Sequence, residues 1–155
     1  MRLRVADLIP LAILVGAAVS ASLSPDFPLA GSTADRAATV AAGRSVYATH
    51  EGGSVRVQVT VTTRSGAPLP APVTVGYATG TGTATAGVDY RPAAGTLIFA
   101  AGTRSGTTQT FLVRTTADRV AETAETVPVT LDCATTGVRV DPHQPTVVIY
   151  ANGRR

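Results

Sequence analysis

A chain of 155 residues has room for one domain with a tail, not for two domains of ordinary size. Hydrophobic residues make up 45% of it and charged residues 15%, which is apolar enough to fold. The net charge of +3 comes from arginine alone: Arg2 and Arg4 lie near the start, Arg154 and Arg155 end the chain, and the others are scattered. There is no basic run and no interleaving of basic with aromatic residues, so a nucleic-acid partner is not expected. Thr, Val, Ala and Gly dominate, and the β-branched pair fits a pleated sheet.

Met1 to Asp7 carries two arginines and one aspartate, and Leu8 to Val19 is almost purely apolar. Ser20-Ala21-Ser22 follows. A basic start, a short apolar stretch and small residues read as a signal peptide over 1–21, cut after Ala21. The alternative is an uncleaved anchor. The apolar stretch is short of the roughly 20 residues that span a bilayer, and Pro10 interrupts it. Either way the rest of the chain is expected outside the cytoplasm, secreted or at the cell surface, with no membrane span after cleavage. Residues 22–44, with Pro25, Pro28, Gly31 and Gly43, read as a flexible linker.

Short strands are expected from there on. After one around Ser45 to Thr49, Val55, Val57, Val59 and Val61 alternate with Arg56, Gln58, Thr60 and Thr62, the period of a half-buried strand. Arg64 to Pro68 is a turn. Val73, Val75 and Tyr77 alternate up to Gly80-Thr81-Gly82. Gly95 to Ala100 and Thr108 to Thr115 follow. Val127, Val129 and Leu131 alternate again, with Pro128 between them, which suggests an edge strand or a bulge. Val147 to Tyr150 closes the domain. That makes about seven strands, a spacing that argues for a sandwich or barrel. Cys133 is a lone cysteine, expected as a small, partly buried side chain near a strand end.

Three stretches carry a resemblance. The first is Glu51-Gly52-Gly53 before the valine strand. The second is Tyr77-Ala78-Thr79-Gly80-Thr81-Gly82-Thr83-Ala84-Thr85-Ala86-Gly87-Val88-Asp89-Tyr90, with Gly95 to Phe99 after it. The third is Ala117-Asp118-Arg119-Val120-Ala121-Glu122-Thr123-Ala124-Glu125. Together they resemble the Calx-β family over residues 45–153. The resemblance implies an all-β, seven-stranded antiparallel immunoglobulin-like sandwich.

It also implies calcium as a ligand at one end of the sandwich. By matching positions, the carboxylates of Glu51, Asp89, Asp118 and Glu122 would be ligands, with the carbonyl of Val120 and a neutral oxygen from Asn152. Glu125 matches an acidic position at the start of the next strand. Two departures lower the charge: Ala117-Asp118 stands where calcium-binding members have an acidic pair, and Ala151-Asn152-Gly153 where they end in an acidic run. What remains would hold at most one ion, in the range of about 10⁻⁴ to 10⁻³ M known for extracellular modules. The alternative is that Asp118, Glu122 and Glu125 are solvated or pair with Arg119.

Other chemistry finds little support. His50-Glu51 lacks the second histidine of a zinc helix, and Gly80 to Gly87 lacks the Gly-Lys-Ser/Thr of a phosphate loop. No Gly-x-Ser-x-Gly elbow is present. His50 and His143 are expected as exposed loop residues. The expected function is a non-catalytic binding or adhesion module with a protein or cell-surface partner; the alternative is a calcium-free structural spacer.

Overall fold

The computed structural model describes residues 38–118 and 123–152, so the expected signal peptide, residues 22–37 of the expected linker, and residues 119–122 lie outside it. Ten strands are present among the described residues: β1 (Ala38–Ala42), β2 (Val46–His50), β3 (Ser54–Thr63), β4 (Val73–Thr79), β5 (Tyr90–Arg91), β6 (Ala94–Phe99), β7 (Thr107–Thr115), β8 (Glu125–Cys133), β9 (Val138–Val140) and β10 (Thr146–Tyr150). They form two sheets, one ordered β5-β7-β3-β1-β9 and the other β2-β10-β8-β4-β6. The expected all-β sandwich is the observed fold.

The alternating valines of β3 show why the sheets face each other. Val57, Val59 and Val61 are fully buried, and so are Val40, Val75, Val113, Val127 and Val147 from neighbouring strands of both sheets. Each such side chain contributes about 1.5–3 kcal/mol on burial. Between the sheets Tyr77 of β4 lies flat on Phe111 of β7, with ring centroids 3.9 Å apart and 10° between planes. Gly95, directly opposite Tyr77 in β6, leaves room for that ring. Cys133 ends β8, half-buried against the core and unoxidised.

The strand count is ten rather than seven, for a topological reason. The chain enters through β1 in one sheet, crosses over at Gly43, and continues as β2 in the other. It leaves the same way, through β9 and then β10. Both crossings create a parallel pair, β1 with β9 and β2 with β10, in sheets that are otherwise antiparallel. Where β1 departs, the hydroxyl of Tyr47 reaches over from β2 and bonds the backbone of Gln58 in β3, accepting from its N–H at 3.1 Å. β1, β5 and β9 are each five residues or shorter, too brief to show a period. The sandwich therefore begins by Ala38, and residues 38–42, read from sequence as linker, are a strand.

Pro128 corrects a second expectation, because β8 is central in its sheet. The proline sits just past the end of the β4 ladder, where its neighbours are Gly80 and Gly82. Its carbonyl accepts from Gly80 N–H at 2.7 Å, and its missing donor faces a turn instead of a strand.

Candidate functional site: the loop end of the sandwich

The turn between β2 and β3 starts the site. Gly52 takes a positive φ of 69°, which glycine adopts without strain. A side chain there would also run into Ala117, on the segment that leaves β7. The two segments are held together by Thr115, the last residue of β7. Its hydroxyl donates to the His50 carbonyl at 2.7 Å and accepts from Gly53 N–H at 2.9 Å. Its backbone N–H donates to the Gly53 carbonyl at 3.0 Å. Thr115 is buried, so these bonds form where water does not compete.

Asp89 comes next. It is buried and its Oδ2 accepts from Thr85 N–H at 2.6 Å. Its own N–H donates back to the Thr85 carbonyl at 2.9 Å, and its carbonyl accepts from Thr116 N–H at 2.8 Å. The carboxylate thus closes the loop before β5, and the backbone carbonyl ties it to the end of β7. Glu51 is tied to the C-terminal segment: its N–H donates to the Tyr150 carbonyl at 3.1 Å. Asn152 completes the tie, its amide nitrogen donating to the Glu51 carbonyl at 3.0 Å and its backbone N–H to Glu51 Oε2 at 3.4 Å.

Of the ligands that the resemblance implies, Glu51, Asp89, Asp118 and Asn152 therefore lie on segments at one end of the sandwich. Val120 and Glu122 lie outside the described residues. Among the described residues, no three Asp, Glu, His or Cys side chains come together to hold a metal. Calcium takes six to eight oxygens. Here one oxygen of Asp89 and one of Glu51 already accept a backbone N–H, and the Asn152 amide acts as a donor. The described residues thus supply only part of the oxygen set that a calcium ion takes.

Sequence reasoning named the carboxylates and missed Thr115 and Thr85. Thr115 occupies an inward position of β7, after Phe111 and Val113; a polar residue at a core position is the signal that marks it. Both histidines are exposed, as expected, but only His143 is in a loop; His50 ends β2. His50 leans on Tyr150, with rings 5.9 Å apart, and His143 Nδ1 lies 2.9 Å from Asp141 Oδ1. The His143 backbone N–H, followed by its side chain, holds the Asp141 carboxyl below the ordinary carboxylate value.

The Calx-beta domain family model matches residues 34–153. The chain belongs to the Calx-beta domain family. Solved Calx structures agree with the assignment. The apo-form Calx CBD1 domain is 26% identical with a TM-score of 0.65, over 74% of this chain and 97% of that one. The calcium binding domain CBD12 of CALX1.1 is 28% identical with a TM-score of 0.62, over 73% of this chain and 44% of that one. CBD12 from CALX1.2 is 27% identical with a TM-score of 0.63, over 73% and 45%. No curated protein sequence matches the chain. This Calx-beta domain is thus related to a calcium binding domain of Calx and shares its fold.

Proposed function

We propose that the protein is an exported, non-catalytic binding module of Calx-beta type. It presents the loop end of its sandwich to a protein or cell-surface partner, and hydrogen bonds within the chain keep that end in shape without an ion. The observation that supports this reading is the buried Thr115 hydroxyl, which bonds the β2–β3 turn from the end of β7, together with the Glu51–Asn152 tie. Loops on a rigid scaffold are a common seat of recognition, and these loops are anchored at their roots.

A second reading has its own support. The chain is 28% identical to a calcium binding domain, and Glu51, Asp89 and Asp118 lie at one end. In this reading Val120 and Glu122 complete a set that takes one ion weakly. Thermal unfolding of the full chain separates the two, in chelator, in several millimolar calcium and in the same concentration of magnesium. At about tenfold excess over Kd a bound ion adds about 1.4 kcal/mol, a rise of several degrees. The first reading expects the same Tm in all three. A calcium-specific rise that Asp118→Ala abolishes establishes the second. Export is tested separately: the mature chain is expected to begin at Ser22, and a full-length chain retained in the cytoplasm overturns that part.

A further inference from the structure

The two sheets divide the charge of the strands between them. Strand positions of the β5-β7-β3-β1-β9 sheet carry Arg91, Arg114, Arg56 and Arg139 and no acidic residue. The other sheet carries Glu125 and Asp132 and no arginine. In sequence the arginines look scattered; the strand register lines them up. Arg91 of β5 is directly opposite Arg114 of β7. Arg114 is opposite Ser54 of β3, which places Arg56, two residues further along, on its diagonal. Arg91, Arg114 and Arg56 are exposed, and none has a carboxylate partner among the described residues.

Two hollows lie along this diagonal. One is lined by Arg91 and Arg114 with Gly52, Gly53, Ser54 and Thr115. The other lies at the edge where β1 has left β3, lined by Arg56 and Gln58, by Arg44, and by Val46, Tyr47 and Ala48 of β2 in the other sheet. Directly opposite side chains stand about 5 Å apart and diagonal ones about 7–8 Å. Like charges at such distances destabilise a sheet, so the arrangement costs the free protein something that an anion would return. The guanidinium fork matches the two oxygens of a carboxylate or sulfate group.

We propose that this diagonal binds an acidic polysaccharide, a linear polymer with an anionic group on successive sugars, which crosses the strands from Arg91 and Arg114 to Arg56 and Arg44. A single small anion would use only one hollow. The rest of the face suits sugar better than bases. Ser54, Gln58, Thr60, Thr108 and Thr110 offer hydroxyl and amide groups beside the arginines. The aromatic residues of this sheet's strands, Tyr90 and Phe111, are buried in the core, so no ring on those strands is free to stack on a base as single-stranded nucleic acid requires. The inference is independent of the loop-end reading.

The test is equilibrium binding of the full chain to polygalacturonate and to dextran sulfate. Neutral dextran and a single-stranded oligonucleotide serve as comparisons, all at low and high salt. The expected result is salt-sensitive binding to one or both acidic polysaccharides and none to dextran. The double variant Arg91→Gln/Arg114→Gln should bind about tenfold more weakly or worse. Arg139→Gln, on the opposite edge of the same sheet, should bind as the parent does. Arg56→Gln gives an independent reading if the double variant fails to fold, and should also weaken binding. No binding to either acidic polymer overturns the proposal. So does equal loss in Arg139→Gln, which would mean attraction to net charge alone, or tighter binding of the oligonucleotide than of the polysaccharides.

Discussion

The loop end and the outer face of the β5-β7-β3-β1-β9 sheet meet along one strand and are built on opposite plans. At the loop end the polar groups of Thr115, Asp89, Glu51 and Asn152 are engaged within the chain. On the outer face Arg91, Arg114 and Arg56 have no ion-pair partner among the described residues. β7 carries both plans in alternate residues: Phe111, Val113 and Thr115 point in, and Thr110, Leu112 and Arg114 point out. A polar group bonded within the fold serves the structure first. A row of like charges left unpaired adds nothing to stability, so a role outside the fold is the better explanation of it.

Substitutions along β7 put that contrast on a scale. Phe111→Ala should have the largest effect, a loss of about 3–5 kcal/mol in urea unfolding, because the ring stacks on Tyr77 of the other sheet. Thr115→Val keeps the shape but removes the hydroxyl. It takes one of two partners from the Gly53 N–H and from the His50 carbonyl, which still bond each other at 3.1 Å, and should cost about 0.5–1.5 kcal/mol; a loss near zero would mean that water replaces the hydroxyl. Arg114→Gln should have the opposite sign. Relieving the like-charge pair with Arg91 is expected to raise Tm by about one to three degrees at low salt, and the gain should fade in high salt. A lower Tm would mean that Arg114 has a stabilising partner.

The smallest effect belongs to Asp141, outside both regions. Its carboxyl is held below the ordinary value of 3.8, first by the His143 N–H. A folded-state value below the unfolded one adds stability that is complete above the unfolded value and lost as pH falls through the folded one. The Tm difference between the parent and Asp141→Asn should therefore be constant near neutrality and shrink only in acid. A difference that already shrinks as pH falls through neutrality would contradict this.

Much of the fold was legible in the sequence. The valine alternation of β3 and the shorter ones of β4 and β8 gave strands on the observed faces, because a period of two survives wherever one face is buried. The crossings at either end were not legible. Ala38–Ala42 and Val138–Val140 are too short to display a period, and their place is set by long-range pairing with β3 and with each other. At the loop end the family resemblance located the acidic segments but not their bonding. Asp89 reads equally well as a metal ligand and as a loop-closing carboxylate until Thr85 is seen against it. The arginine diagonal was illegible for the same reason, since it depends on the register of β5, β7 and β3.

Amide hydrogen exchange at Gly53 addresses the central claim most directly. That N–H bonds both the Thr115 hydroxyl and the His50 carbonyl, so its protection reports whether the loop end stays closed. The account expects the Gly53 amide to be strongly protected in chelator, with the same protection in several millimolar calcium. Rapid exchange in chelator, with protection appearing only when calcium is added, would contradict it: the loop end would then be built by the ion and not by its own hydrogen bonds.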